Sequence, residues 1–312
     1  MRKLIVGVML VVLACSFALG AMAADKKVVV GCKNFTEEYV VGQLMAQLLE
    51  ARGFEVELVS DLSSMTMREA IEAGDIDICA EYTGTAWMAH LGRLYEPTGH
   101  SDLYYKTKAA EAQNGFIWLQ PMWNHNSYAL ASWSEYAEEH NLKTMSDLAA
   151  WYNENDGKVT TFIDFEYSTR PDGLPALEKF YGFHIDPAYL KTGAPGASLM
   201  ALANHQCDLT MVFATDAAIA KYGWLVYLDD EYFYPPYDLT PYVRAEVLEK
   251  YPEVGAILNE LVLAFAGGGI PYSDAKLQRA QAAWQGLNML VDMEKREPDE
   301  VAHDWLLTNG LL

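Results

Sequence analysis

Gly74–Ala86, with the sequence GDIDICAEYTGTA, is the stretch around which this chain is organised. It is typical of a helix end followed by a buried strand, marked by Ile76 and Ile78, and then by a Thr-Gly-Thr turn that opens the next helix. Tyr82 stands where the strand stops. Because ligands of open α/β sheets bind beyond the carboxyl ends of the strands, Tyr82 is the first candidate for a ligand contact.

The residues around this stretch alternate between strand and helix patterns. We predict a strand at 28–31, a helix ending at Gly53, a strand at 54–58, a helix at 66–73 and then the opening strand. This order predicts a parallel sheet with right-handed crossovers. Asn34 and Glu37 have the spacing of a capping box at the first helix, and Ser101 is placed to cap a later one.

The same order starts again in the second half of the chain. The stretches REAIEAGDIDICAEYTGT and LMALANHQCDLTMVFATD share an Ala-hydrophobic pair seven and six residues before an aspartate, Asp77 or Asp208. Tyr82 and Phe213 each follow that aspartate by five residues. Two related units would line a cleft from both sides, although helix-strand patterns of this kind also recur by chance in α/β proteins. The last third, from Val243 onward, is predicted to be mostly helical.

The first residues indicate export. Arg2 and Lys3 precede an apolar run, and Ala21-Met22-Ala23 forms a small-x-small cleavage site, so we predict a signal peptide at 1–23. A lipid anchor at Cys15 would leave a short apolar run and is less favoured. Cleavage after Ala23 changes the net charge from −21 to about −23. Such a surface argues against nucleic-acid binding and favours a soluble monomer.

Three cysteines remain after the predicted cleavage, namely Cys32, Cys79 and Cys207. A Cys32–Cys79 disulfide is possible in an exported protein, but adjacent strands do not guarantee disulfide geometry, and buried free thiols are favoured. Catalysis has little support because GxSxG, P-loop and HExxH motifs are missing from the sequence. The seven histidines do not have metal-site spacing. The sequence therefore predicts no enzyme activity, no metal and no cofactor.

Four blocks of sequence resemble, in order and spacing, the substrate-binding proteins of ABC importers for glycine betaine, choline, carnitine and related quaternary amines. They are Gly31–Glu38 (GCKNFTEE), Glu81–Thr85 (EYTGT), Arg170–Pro175 (RPDGLP) and Pro235–Asp238 (PPYD). The resemblance covers essentially the whole mature chain, and the second and third blocks are specific when found together.

The resemblance implies an α/β protein of the two-lobed periplasmic binding type, similar to type II, in which a two-stranded hinge joins two sheets flanked by helices. Lobe I would comprise 24–124 and 235–312, and lobe II would comprise 125–234. The implied function is to bind a quaternary-ammonium osmolyte, most readily glycine betaine, in the periplasm and to deliver it to an ABC permease in the inner membrane.

The resemblance also implies the site. Four rings would form an aromatic box for the trimethylammonium group, namely Tyr82, Tyr128, Phe213 and Tyr237. The ligand carboxylate would be held by Lys33, Arg170 and the hydroxyl of Thr85, and the backbone near Asn126 would contact the cationic end. Two positions depart from the family pattern: Cys32 replaces a serine, and Phe213 replaces a tyrosine and its hydroxyl.

This residue set suits the chemistry of a quaternary ammonium. The ion has no N–H to donate, so carboxylates offer it little, whereas the faces of aromatic rings attract its charge and contact its methyl groups. Most of the 19 Tyr are expected to be core residues, but Tyr82 and Tyr237 lie in turns (YTGT and PPYD). A receptor for another small zwitterion or amino acid, and an exported enzyme on the same fold, are the alternatives.

Overall fold

The structure is a computed structural model that describes residues 26–170, 172–194 and 196–312. Its strands form two five-stranded sheets, each flanked by helices. The expected two-lobed α/β architecture is therefore confirmed. The predicted signal peptide at 1–23 lies outside the described residues.

The first sheet has the order β2-β1-β3-β10-β4 and the second has the order β7-β6-β8-β5-β9. The strands are β1 (Lys27–Lys33), β2 (Glu55–Leu62), β3 (Ile78–Tyr82), β4 (Phe116–Trp118), β5 (Tyr128–Trp133), β6 (Thr161–Asp164), β7 (Leu190–Gly193), β8 (Leu209–Phe213), β9 (Trp224–Val226) and β10 (Leu239–Arg244).

The longer helices carry the labels α1 (Thr36–Ala51), α2 (Ser64–Ala73), α3 (His100–Ala112), α4 (Ser134–Glu139), α5 (Met145–Glu154), α6 (Leu174–Tyr181), α7 (Ala197–Ala203), α8 (Ala217–Tyr222), α9 (Ala245–Lys250), α10 (Glu253–Ala264), α11 (Asp274–Asp292) and α12 (Pro298–Thr308). A helical turn at Thr83–Thr85 and a π-helix at Ala86–His90 follow β3. No helix in the described part of the chain is long and apolar enough to cross a membrane.

The two sheets are built alike, as the internal similarity in the sequence predicts. In the first, β3 lies between parallel β1 and antiparallel β10, and in the second, β8 lies between parallel β6 and antiparallel β5. Asp77 Oδ2 accepts the backbone N–H of Val29 at 2.9 Å, and Asp208 Oδ2 accepts that of Thr160 at 3.0 Å. Each aspartate thus ties the start of its central strand to the neighbouring parallel strand.

Helix α1 packs on the first sheet, and the spacing of its buried residues explains why this stretch is helical. The predicted apolar positions 40, 41, 44, 45, 48 and 49 are all fully buried in the core. The predicted capping box is wrong, because Phe35 is the N-cap residue and no side chain caps it, while Glu37 is turned inward. Ser101 is likewise not a cap, since α3 begins one residue earlier and Gly99 is its N-cap.

Strand β10 carries the chain back into the first sheet after the second sheet is complete. It pairs with β3, with Leu239 opposite Tyr82, and with β4 on its other side. The first sheet is thus assembled from two distant segments, and the second from one continuous segment. The boundaries 24–124, 125–234 and 235–312 stay a prediction.

Cys32, Cys79 and Cys207 are free and buried, which confirms the expectation of separate thiols. Burial raises the pKa of the Cys32 thiol to about 12. These cysteines therefore act as small core residues.

Candidate functional site

A cavity of about 240 Å³ lies where the strand ends of the two sheets face each other. It is lined by seven of the eight residues predicted as ligand contacts, namely Lys33, Tyr82, Thr85, Asn126, Tyr128, Phe213 and Tyr237. The eighth, Arg170, lies directly behind this lining, with its Nη2 3.3 Å from the hydroxyl of Thr85. The structure thus brings the whole predicted set together.

The four predicted box rings come from both sheets. Tyr82 and Phe213 end β3 and β8, and Tyr128 pairs with Phe213 at the start of β5. The ring centroid of Tyr128 is 5.1 Å from that of Phe213 and 5.5 Å from that of Tyr237, with the last pair nearly perpendicular. These separations are typical of attractive aromatic pairs, so neighbouring rings hold each other in place.

The turns that carry Tyr82 and Tyr237 are locked to each other. Thr83 Oγ1 donates to the carbonyl of Pro236 at 2.7 Å and accepts from the N–H of Asp238 at 3.1 Å. A Cβ atom on Gly84 would lie only 2.7 Å from the ring of Tyr237, so only glycine lets the two turns approach this closely. This contact fixes the positions of Tyr82 and Tyr237 relative to each other.

Phe35 is a fifth ring at the cavity that the sequence reasoning did not select. Its ring is nearly parallel to those of Phe213 and Tyr82, with centroid distances of 5.1 and 6.3 Å. Phe35 lies just beyond the end of β1, as Tyr82 lies at the end of β3, and this position is the signal that could have identified it. Phe165, which is 67% exposed, also borders the cavity.

Lys33 is buried and paired with carboxylates of its own lobe. Its Nζ lies 2.5 Å from Glu81 Oε1 and 3.8 Å from Glu38 Oε1, and it stands 4.9 Å from the ring centroid of Tyr82. Burial alone would lower the pKa of Lys33, but the two carboxylates outweigh that effect and raise it. Lys33 is therefore charged and already held in an ion pair.

Arg170 is paired in the same way. Its Nε and Nη2 donate to the two carboxylate oxygens of Asp172 at 2.7 Å, and its Nη1 donates to Glu166 at 3.0 Å. The guanidinium also lies 5.2 Å from the ring centroid of Tyr128. A ligand carboxylate that reaches Lys33 or Arg170 must therefore share each cation with a carboxylate of the protein.

Behind Lys33 lies a set of buried polar atoms without hydrogen-bond partners in the described part of the chain. They include Glu38 Oε1, Glu81 Oε2 and both ring nitrogens of His90. Burial raises the pKa of Glu38 to about 8, and burial also lowers the pKa of His90 well below its usual range. Burial thus disfavours the charged form of both groups beside the Lys33–Glu81 pair.

Glu37 links the box to the chain segment that joins the two sheets. Its Oε1 accepts from the hydroxyl of Tyr82 and from Asn124 Nδ2, both at 2.8 Å, and more weakly from Asn126 Nδ2 at 3.3 Å. Its Oε2 accepts from the hydroxyl of Thr215 at 2.6 Å. Burial raises the pKa of Glu37 to about 7 despite these four donors.

Asn126 is fixed by both of its functional groups. Its side-chain oxygen accepts from the N–H of Thr215 at 3.1 Å, and its own N–H donates to the carbonyl of Tyr237 at 2.8 Å. It is 4% exposed and lines the cavity at the crossing between the sheets. Because its side chain and its N–H are already bonded, the main-chain carbonyl of Asn126 is the group that no hydrogen bond reaches within the described residues.

Comparisons with known proteins match nearly the whole chain. The sequence model of one protein family, the substrate binding domain of ABC-type glycine betaine transport systems, matches residues 26–307. A glycine-betaine-binding protein of Pseudomonas aeruginosa is 32% identical over 307 residues, which are 96% of this chain and 94% of that protein.

Two further similarities broaden the picture. An ergothioneine transport permease/ergothioneine binding protein of Helicobacter pylori is 30% identical over 290 residues, covering 92% of this chain and 48% of that longer protein. A solved structure described as a glycine betaine/carnitine/choline ABC transporter shares the fold, with a TM-score of 0.68, 23% identity, and coverage of 92% of this chain and 99% of that one.

Proposed function

The chain belongs to the family of substrate-binding domains of ABC-type glycine betaine transport systems, and from this premise we propose that it captures a small quaternary-ammonium osmolyte between its two lobes. Glycine betaine is the first candidate, followed by proline betaine, carnitine and choline. The protein would then deliver the ligand to an ABC permease in the inner membrane.

The observation that carries this proposal is the convergence of aromatic and basic residues on one cavity between the sheets. Tyr82, Tyr128, Phe213 and Tyr237 offer ring faces, while Lys33 and Thr85 line the same space. Each ring contributes about 0.5–1 kcal/mol to holding a cation when exposed and about 2 kcal/mol when desolvated. Together with a carboxylate contact, this supports micromolar binding, about −8 kcal/mol, once the cost of ordering and closure is included.

The positions of Lys33 and Arg170 favour a zwitterion over a simple cation, even though the acids Asp164 and Glu166 line the same cavity. A trimethylammonium group in the box would lie near the ammonium of Lys33 and the guanidinium of Arg170, which already face Tyr82 and Tyr128. A carboxylate on the same ligand offsets that repulsion by reaching Lys33, Arg170 and the Thr85 hydroxyl. Choline lacks this group, so we expect it to bind less tightly than glycine betaine.

The cellular setting follows from the predicted signal peptide and the acidic composition. We place the mature protein in the periplasm as a free monomer, and we favour this over a lipid-anchored form. The ligand is bound and released unaltered, without enzyme activity and without contact with nucleic acid.

Calorimetric titration of the mature chain with glycine betaine, proline betaine, carnitine and choline tests the proposal. We expect at least one micromolar ligand, stoichiometric binding and recovery of the ligand unchanged after incubation. The exposed Tyr105, with 51% of its surface accessible, provides a control variant, because Tyr105→Ala removes a ring without touching the cavity. No heat with any of the four ligands would refute the proposal, and chemical conversion of the ligand would favour the enzyme alternative.

A further inference from the structure

A second and larger cavity, of about 440 Å³, lies next to the proposed betaine site. The two cavities share four lining residues: Asn34, Phe35, Asn126 and Phe213. Because the rings of Phe35 and Phe213 are stacked with centroids 5.1 Å apart, they form a partition between the two spaces. Separating these two rings would join the cavities.

The second cavity combines apolar walls with acidic groups. Leu199, Met211, Phe213 and Met293 contribute apolar surface, and Asp216 and Asp292 contribute carboxylates. Lys221 and Lys295 also border the cavity, but both side chains are exposed to solvent. The composition suits a ligand group with an aliphatic body and a positively charged end.

The carboxylates have acceptor capacity that the protein does not use. Asp216 Oδ2 accepts from the N–H of Phe213 at 2.7 Å, and Asp292 Oδ1 accepts from the hydroxyl of Thr36 at 2.6 Å. In the described residues, no hydrogen bond reaches the other oxygen of either group. Asn288 lines the same cavity, is 3% exposed, and its Oδ1 is buried without a partner in the described part of the chain.

Burial disfavours the charged forms of both acids, and at Asp292 the hydrogen bond from Thr36 and the charge of Lys295 partly oppose it. Burial is the main reason why the pKa of Asp216 is raised to about 7, and the charges of Asp292 and Glu37 contribute to this value while the hydrogen bond from Phe213 opposes it. A cation placed between Asp216 and Asp292 would relieve this repulsion and favour their ionised forms.

We propose that the second cavity is a subsite for the side chain of a larger betaine, namely an amino acid trimethylated at its α-nitrogen whose side chain ends in an ammonium group. This inference rests on the proposed function, because the trimethylammonium and carboxylate groups occupy the first cavity. The side chain passes between Phe35 and Phe213, and its ammonium lies against Asp216 and Asp292. Phe35 and Phe213 are each partly exposed, and this passage requires their rings to move apart.

Three ligands test the proposal by calorimetry: glycine betaine, Nα-trimethyl-lysine and the nearly isosteric, uncharged Nα-trimethylnorleucine. Glycine betaine has no side chain and reports on the first cavity alone. We expect Nα-trimethyl-lysine to bind about tenfold tighter than Nα-trimethylnorleucine, the effect typical of one charge-assisted hydrogen bond. Nα-trimethyl-lysine should also compete with glycine betaine for a single site.

Asp292→Asn removes the charge while keeping an oxygen that accepts from Thr36, and it should abolish the preference for the lysine derivative. Its affinity for the other two ligands should be unchanged. Asp156→Asn is the matched control, because the Asp156 side chain is 83% exposed and does not line either cavity. Phe35→Leu, which thins the partition, should raise the affinity for both side-chain-bearing ligands relative to glycine betaine.

The outcomes separate this inference from the proposed function. If glycine betaine binds but neither larger ligand does, the subsite is refuted and the function stands. The subsite is also refuted if the two larger ligands bind with equal affinity or if glycine betaine and the lysine derivative bind at the same time. It is refuted as well if Asp292→Asn lowers the affinity for all three ligands by the same factor. If Phe35→Leu leaves the affinity for the larger ligands relative to glycine betaine unchanged, the partition is refuted. If none of the three ligands binds, both proposals are refuted.

Discussion

Replacing Glu37 by Gln should change how the stability of the protein depends on pH. Glu37 is 1% exposed and accepts four hydrogen bonds, from the side chains of Tyr82, Asn124, Asn126 and Thr215. A glutamine can preserve this network, because its amide oxygen accepts from the first three groups and its amide nitrogen donates to the Thr215 hydroxyl. The substitution therefore removes the ionisation with little change in shape.

The magnitude follows from the pKa of Glu37, which burial raises from 4.5 to about 7 in the folded protein. The folded state thus holds the proton more tightly than the unfolded state. The contribution of this group to stability is fully present below pH 4.5 and is lost as the pH rises through 7. This difference between the pKa values of Glu37 in the folded and unfolded states corresponds to about 3 kcal/mol of unfolding free energy.

Urea denaturation of both proteins at pH 4.5, 6, 7 and 8.5 measures this effect. We expect the unfolding free energy of Glu37→Gln, minus that of the unchanged protein, to rise by about 3 kcal/mol from the lowest to the highest pH. The pKa of Asp216 also lies near 7 through burial, but Asp216 is present in both proteins, so most of its contribution cancels. Glu300→Gln, at an exposed position, is the control. Parallel pH profiles for Glu37→Gln and the unchanged protein would refute the reasoning.

Three further predictions concern the box, the buried ion pair and the thiols. Tyr82→Ala should weaken glycine betaine binding at least tenfold, the equivalent of about 1.4 kcal/mol, and Tyr82→Phe should weaken it less because the ring face remains; equal losses in calorimetry would argue against a cation–π role. Arg170→Met should lower the unfolding free energy by about 3–5 kcal/mol because the buried Asp172 loses its cationic partner and keeps only the hydrogen bond from Tyr237. Adding Asp172→Asn should restore most of this loss, and additive losses on denaturation would contradict the explanation. Cys32, Cys79 and Cys207 are free and buried, so they should react with a thiol reagent only after unfolding, and fewer than three reactive thiols in the mature chain would reveal a disulfide.

Most of the fold was predictable because local pattern and tertiary position agree. The buried run around Ile78 and the matching run that ends at Phe213 lie at the centres of their sheets, where both strand faces are covered. Short strands were missed where the pattern is weak. Strand β7 lies at the edge of its sheet and has no fully buried residue, and β9 has only three residues. Neither strand shows a clear alternation of apolar and polar residues.

The site was predictable only in part from the residues themselves. Turn chemistry marked Tyr82 and Tyr237, but the roles of Tyr128 and Phe213 came from the family resemblance, since both look like core residues. The spacing of Glu37 from Asn34 predicts a role in helix capping. The structure instead turns it toward four donors, and three of them, on Asn124, Asn126 and Thr215, come from distant segments that no local pattern can reveal.

The return of β10 to the first sheet has a consequence for the order of folding. The second sheet is built from one continuous segment, whereas β3 gains its antiparallel neighbour only when Leu239–Arg244 has been made and brought back. Closing so long a loop is slow, because its entropy is lost before the contacts form. We expect amides of β5, β6 and β8 to become protected from hydrogen exchange before those of β3 and β10. Tyr82 would then reach its final position only after β10 has joined the first sheet, so that ligand capture itself reports that this late step of folding has taken place.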